Sequence, residues 1–245
     1  MENIYLMLLR KLIASKRFYL WLLLLIGLGI KTALQGDQLQ TTEDTIQFIY
    51  YQIAQPNLMT WFIIPSFLFL LGIVTNVFHR NQILLKYSHS NVWWKDQIVL
   101  LFLFSLIHTS AIHGVIMGVA VARGGIEILT GDFLLFLGVS STIQLLCFTL
   151  LGIGYAIISL LTNSYIAFFT TILLISITDV IKIFFKLEFN TLQEYMSSSF
   201  YTGKPGSITL EAMDILSLTS FLLVSVLLYF IGSILSQEKD YFWSR

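Results

Sequence analysis

Long apolar stretches separated by polar connections dominate the chain. Six of them are continuous, at 18–35, 58–78, 97–122, 132–160, 164–185 and 213–236. A membrane-spanning helix needs roughly 20 apolar residues, whereas the strands of a membrane barrel are shorter and alternate in polarity. The pattern therefore predicts an all-α membrane protein with six transmembrane helices, organised as a single membrane domain over residues 1–245.

Composition agrees with this interpretation. Hydrophobic residues make up 56% of the chain and charged residues 11%, and the mean hydropathy is +0.81. Soluble domains carry charge on about a quarter of their residues. The formal net charge is zero, which gives no indication of nucleic-acid binding and leaves the lipid bilayer as the expected surrounding. The single cysteine, Cys147, lies within an apolar stretch and cannot form an intrachain disulfide.

The distribution of Lys and Arg predicts the orientation. The segments before the first span, between spans two and three, and after the last span contain most of the basic residues: Arg10, Lys11, Lys16, Arg17, Arg80, Lys86, Lys95, Lys239 and Arg245. The connections on the opposite side contain Arg123, Lys186 and Lys204. Positive charge concentrates on the cytoplasmic side of membrane proteins, so we expect both termini in the cytoplasm.

Two further segments are predicted to lie along the membrane surface. Residues 1–17, MENIYLMLLRKLIASKR, combine apolar and basic residues and predict an interfacial amphipathic helix. A cleaved signal peptide is the competing interpretation, disfavoured by the length of the following apolar run and the lack of a small-residue cleavage site. On the outer side, the aromatic segment 187–213 predicts a helical excursion before the last span.

No catalytic, cofactor-binding or metal-binding constellation is evident. His108 and His113 share one helix, but a spacing of five residues turns them far apart around the helix axis. An intramembrane enzyme would have to use these histidines and Asp179. Gly203-Lys204 is followed by Pro205 and lacks the upstream glycine of a phosphate-binding loop. We therefore expect a protein that is not itself an enzyme.

Two polar residues within the spans are candidates for a translocation path. Gln144 lies near the middle of span four, where it either supports helix packing or faces a path. Asp179 lies one helical turn before Lys182 in span five. A local ion pair between these two side chains is the favoured interpretation, and an ion-coupling site is the alternative.

The connection between spans two and three is the most unusual segment. It begins HRNQILLKYSHSNVWWK, at residues 79–95, and is longer than a turn requires. Trp93 and Trp94 suit the headgroup level and Lys95 suits the lipid phosphates, so these three residues are predicted to be interfacial anchors. A solvated anchor and a docking surface for another protein both remain open for the rest of the segment.

The order of these elements resembles the permease subunits of bacterial ATP-binding cassette exporters of the second type. The resemblance covers the whole chain. The segment ILLKYSHSNVWWKDQIVL, residues 83–100, is similar to one found in small Firmicute permeases that accompany lantibiotic and other peptide export or self-immunity operons.

The resemblance implies several functional expectations. HRNQILLKY would form a coupling helix seated in a separate ATPase subunit, with docking candidates His79, Arg80, Gln82, Ile83, Lys86 and Tyr87. Two ATPase subunits, which bind ATP and Mg, would associate with a pair of identical or related permeases in the bacterial cytoplasmic membrane. The pair would export a peptide or an amphipathic or hydrophobic compound. The alternative is a membrane immunity or sensor protein that binds an antimicrobial peptide without transporting it.

Overall fold

The computed structural model describes residues 10–34, 50, 52–79, 87, 89–186, 191–198 and 212–238. Within these ranges the chain forms six helices that are long and apolar enough to cross a membrane, and a seven-residue helix, α6, besides shorter helical turns. Their bounds are α1 (Lys16–Leu34), α2 (Pro56–Phe78), α3 (Ser90–Gly124), α4 (Gly131–Leu161), α5 (Ser164–Phe185), α6 (Leu192–Ser198) and α7 (Ala212–Glu238). The prediction of an all-helical chain with six candidate spans is confirmed, and these six helices are consistent with a multi-pass membrane protein.

Helix α3 departs most from the predicted bounds. It begins at Ser90 rather than at 97, so the tryptophan pair lies in its first turns and not in a loop. At its other end α3 stops at Gly125, which has a φ of 71°. Glycine adopts this left-handed conformation without the steric cost that a Cβ would bring. A 3₁₀ turn at Ile126–Ile128 then leads to α4.

Side-chain caps fix the starts of α4 and α5. The hydroxyl of Thr130 accepts a hydrogen bond from the backbone N–H of Phe133 at 3.3 Å. The side-chain carbonyl of Asn163 accepts one from the N–H of Ile166 at 2.9 Å. Each cap satisfies an N–H that the first helical turn leaves without a partner, which explains why the helices begin at these residues.

Helix α2 contains a widened turn. Met59–Ile63 is π-helical, and the regular α-helix resumes at Ile64, immediately before Pro65. Proline has no N–H to donate and its ring crowds the carbonyl four residues earlier, so a helix must change its geometry near such a position. The π-helical turn that precedes Pro65 provides this change of geometry.

The interior of the bundle is built mainly by α2, α3 and α4. In the most apolar stretch of 18 residues in α4, 67% of the residues are buried within the protein, compared with 11% in the corresponding stretch of α7. Helix α7 packs on α4 and α3, α5 packs on α4 and α2, and α1 packs on α3 and α2. The exposed faces of α1, α5 and α7 are apolar, as expected for helices that face lipid.

The segment before α1 is described only in part. Residues 10–13 are helical, and the chain turns at Ala14 and Ser15 before α1 begins at Lys16. Leu12 is buried against the bundle. Residues 1–9 of the predicted interfacial helix lie outside the described ranges.

Candidate functional site

The connection between α2 and α3 is the first candidate site. Of the six docking candidates, Arg80, Gln82, Ile83 and Lys86 lie outside the described residues, together with most of the predicted coupling helix. His79 and Tyr87 are described, and they mark the two ends of the segment. The structure therefore describes this site only at its two ends.

Both ends of the connection are bonded to the helices beside them. The hydroxyl of Tyr87 donates a hydrogen bond to Asp96 Oδ2 in α3 at 3.0 Å. Trp93 Nε1 donates to the carbonyl of Phe78, the last residue of α2, at 3.3 Å. The Trp93 ring also packs on the His79 ring, with 5.6 Å between their centroids. These contacts hold the end of α2 against the start of α3.

Trp94 bonds the start of α3 to α7. Its side chain is fully buried, and Nε1 donates to the carbonyl of Tyr229 at 3.0 Å. The indole lies so close to α7 that a Cβ placed on Gly232 would overlap Trp94 Cζ2. Asn91 adds a second bond, because its Oδ1 accepts from Gln237 Nε2 at 2.6 Å. Any displacement of the start of α3 would therefore involve α7.

The structure places the two tryptophans differently from the headgroup-level anchors that the sequence predicted. An anchor of that kind exposes its ring to the membrane, whereas Trp93 and Trp94 are buried within the protein. Lys95, the next residue in the chain, is exposed. The signal that sequence reasoning missed is helical spacing: Ser90, Trp93, Trp94, Gln97, Leu100 and Leu101 continue one buried face of α3.

A buried polar cluster beneath α6 is the second candidate site. Gln144 Nε2 donates to the Tyr50 hydroxyl and to the carbonyl of Met196, each at 3.1 Å. The Tyr50 hydroxyl in turn donates to the same carbonyl at 2.8 Å. All three residues are buried. Gln144 therefore joins α4 to α6 and to Tyr50, six residues before α2 begins, and it does not face an open path in this conformation.

The position of this cluster shows how deep α6 lies. Gln144 follows the first residue of α4, Gly131, by more than three turns, which places it about 20 Å along the helix axis at 1.5 Å per residue. Helix α6 reaches that level, and its Gln193 and Met196 are fully buried. The short helix therefore packs among α2, α4 and α5, within the depth of the bundle.

A second set of polar contacts fastens α6 to α5. Gln193 Nε2 donates to Asp179 Oδ2 at 2.8 Å, and Lys182 Nζ donates to Glu194 Oε1 at 2.7 Å. The predicted ion pair between Asp179 and Lys182 is thus replaced by contacts to α6. Asp179 and Lys182 still share one face of α5, but that face is covered by a helix that the local sequence spacing does not reveal.

Glu194 completes the attachment of α6. Its Oε2 accepts a hydrogen bond from the backbone N–H of Thr191 at 2.8 Å, the reciprocal half of a capping box. Partial burial raises the pKa of the Glu194 carboxyl, but hydrogen bonds from Lys182 and Thr191 outweigh it, and the net pKa lies below its ordinary value. The carboxylate is therefore the form that the structure favours.

The two histidines of α3 make separate contacts. His108 Nδ1 accepts from Trp21 Nε1 in α1 at 2.8 Å, so a neutral His108 carries its proton on Nε2. His113 Nδ1 lies 3.0 Å from the carbonyl of Thr109, to which it must donate, and Nε2 then accepts from the Ser140 hydroxyl at 3.1 Å. These rings bond α3 to α1 and to α4. Neither ring is hydrogen-bonded to Asp179, which bonds to Gln193 instead.

The described part of the chain therefore brings together two kinds of contact: bonds that fix the ends of the α2–α3 connection, and bonds that fix α6 within the bundle. Among the described residues no three His, Cys, Asp or Glu side chains are grouped as metal ligands would be. No protein-family model, no curated protein and no solved structure matches the chain.

Proposed function

We propose that the chain is the membrane-spanning subunit of an ATP-driven exporter, in which a separate ATPase docks on the connection between α2 and α3. The observation that carries the proposal is the attachment of that connection. Its two ends are bonded to α2 and α3 through Trp93 and Tyr87, and the following turn of α3 is bonded to α7 through Trp94. A force applied to the connection would reach three spans at once.

No complete nucleotide-binding motif is present in the sequence, so the energy for transport would have to come from another subunit through this attachment. The only Gly-Lys pair that resembles part of a phosphate-binding loop, Gly203-Lys204, lacks the rest of the motif and is predicted to lie on the outer side. ATP and Mg would be bound by the partner, present in two copies, and a second permease copy or a related chain would complete the assembly. The bacterial cytoplasmic membrane is the proposed location.

The contacts of α6 suggest where the outer end of a path would open. In this conformation α6 is held by Gln144 of α4 and by Asp179 and Lys182 of α5. An outward path between α4 and α5 would require these bonds to break, so Gln144 and Asp179 act as holding residues for a closed state. The proposed cargo is a peptide or an amphipathic compound that enters this region from the bundle.

Association with an ATPase is the first experiment. The chain is expressed with its genomic neighbours, and the ATPase that co-purifies is quantified. Charge reversal at Arg80 or Lys86 is expected to weaken the association, whereas the K16E variant, at an exposed residue on the same predicted side, is the matched control. Retention of the ATPase by R80E and K86E, or stable activity of the chain without any ATPase, would argue against the proposal.

Transport by inverted vesicles separates the proposal from its alternative. Vesicles that contain the chain and its ATPase are expected to accumulate a labelled peptide only when ATP is present. An immunity or sensor protein would bind the peptide on the outer side, which faces the lumen of inverted vesicles and the medium of right-side-out ones. Binding to right-side-out vesicles with or without ATP, together with no accumulation by inverted vesicles, would therefore replace transport by the second function.

A further inference from the structure

A lateral groove between α1, α2 and α5 has walls that suit a lipid. Its volume is about 290 Å³, close to the lower end of the range of ligand sites, about 300 to 1,000 Å³. The wall residues include Leu20 of α1, Trp61, Phe62 and Phe69 of α2, and Phe168 of α5. The first four of these are exposed although they lie in membrane-spanning helices. The groove therefore opens toward the hydrocarbon of the bilayer.

A single cation lines the same groove. Arg17, in the first turn of α1, places its guanidinium over the Phe69 ring, with 4.4 Å from Cζ to the ring centroid. Within the described ranges no carboxylate pairs with this guanidinium. A charged side chain in a membrane-spanning segment is costly unless it reaches a counter-charge or the headgroup region. The groove thus combines apolar walls with a guanidinium that is able to bind an anionic group.

The arrangement of these groups matches one class of membrane molecule. Along α2 the distance from Trp61 to Phe69 is about 12 Å at 1.5 Å per residue, which provides a continuous apolar wall for an acyl chain. Arginine binds phosphate through paired N–H donors, and basic pockets between membrane helices recognise anionic headgroups. Lys16, next to Arg17, is exposed and adds positive charge at the same end.

We propose that this groove binds one anionic phospholipid, with its phosphate at Arg17 and an acyl chain along the rings of α2. The lipid comes from the leaflet in which α1 begins, which the distribution of basic residues predicts to be the cytoplasmic one. A zwitterionic lipid would fill the same apolar walls, but its phosphate is already paired with its own amine. The proposal is independent of the transport function.

Quenching of tryptophan fluorescence by brominated lipids tests the site. Trp61 is exposed in the groove and Trp21 also lines it, whereas Trp93 and Trp94 are buried elsewhere. The purified full chain is titrated with brominated phosphatidylglycerol or brominated phosphatidylcholine in mixed micelles. We expect half-maximal quenching at an about fivefold lower mole fraction of the anionic lipid, the factor that corresponds to one basic residue near the membrane surface. The W61F variant identifies the part of the signal that arises in the groove.

Variants assign the preference to Arg17. R17Q is expected to abolish the fivefold difference and R17K to retain most of it, while K31Q, which removes an exposed charge at the opposite end of α1, leaves it unchanged. Equal quenching by the two lipids in the wild-type protein would overturn the proposal, and this comparison stands even if R17Q does not fold. An unchanged preference in R17Q, or an equal loss in K31Q, would also overturn it. Displacement of the brominated lipid by inorganic phosphate alone would show a simple anion site instead.

Discussion

The contact between Gly232 and Trp94 leads to a quantitative prediction about the junction of α7 with α3. A Cβ on Gly232 would overlap Trp94 Cζ2 and lie 2.5 and 2.7 Å from two further atoms of the indole, Cη2 and Cε2. The indole cannot easily move, because it is fully buried and its Nε1 is bonded to the carbonyl of Tyr229. The G232A variant must therefore displace α7 or rotate the tryptophan.

The expected cost follows from two opposing effects. Replacing a glycine by alanine within a helix stabilises that helix by about 0.5–1 kcal/mol. Forcing an extra methyl group into a well-packed interior costs about 1–3 kcal/mol. The overlap with three ring atoms places G232A in the upper part of that range, so we expect a net loss of about 1–2 kcal/mol. G154A is the matched control, because a Cβ on Gly154 meets no atom within 4 Å.

Unfolding in detergent by added dodecyl sulfate measures both variants. G154A is expected to be as stable as the wild-type protein or slightly more stable, and G232A less stable. The W94F variant loses the hydrogen bond to Tyr229, worth about 0.5–1.5 kcal/mol, but its smaller ring makes room for the new methyl group. The double variant W94F/G232A should therefore lose less than the sum of the two single losses. Equal stability of G232A and G154A, or simple additivity, would refute the proposed contact.

Three more predictions concern side chains of α4 and α6. Q144L keeps the side-chain volume but removes both donated bonds, so we expect a loss of about 1–3 kcal/mol and faster amide exchange in α6 than in α3. The pKa of Glu194 is lowered from 4.5, so its stabilising contribution is complete above that value and is lost as the pH falls through the lower, folded pKa. E194Q should therefore flatten the acid side of the thermal-unfolding profile; an unchanged acid slope would contradict this. Cys147 is fully buried, and a membrane-permeant maleimide should label it only after unfolding, so rapid labelling of the native protein would exclude this packing.

The spans were predictable because the length of an apolar run is a local property of the chain. Span five was expected at 164–185 and is found at Ser164–Phe185, and span four differs by one residue at each end. The start of α3 was missed because VWWKDQ mixes charges with tryptophans. Its charged side chains lie on an exposed or half-exposed face, while Trp93, Trp94 and Gln97 lie on a buried one. A prediction based on the length of an apolar run therefore places the start of the helix after such an amphipathic turn.

The partners of the polar residues could not be predicted from local spacing. Gln144 bonds to Tyr50 and Met196, which are 94 and 52 residues away in the chain. Lys182 had a carboxylate one turn away in Asp179, yet it pairs with Glu194 of α6. In both cases the deciding factor is the packing of α6 into the bundle, and the sequence predicts only that a helical excursion exists there.

These contacts also make α3 the central connecting helix of the protein. It is bonded to α1 through His108, to α2 through Trp93, to α4 through His113 and to α7 through Trp94. Ser140, whose hydroxyl donates to His113, lies one helical turn before Gln144, which holds α6. Under the proposed function, a displacement of the connection before α3 would therefore reach α6 through a single turn of α4. Helix α3 begins at Ser90, only a few residues after the proposed docking segment at 79–87. No further element would therefore be needed, beyond α3 and this turn of α4, to transmit a movement of the docked ATPase to α6.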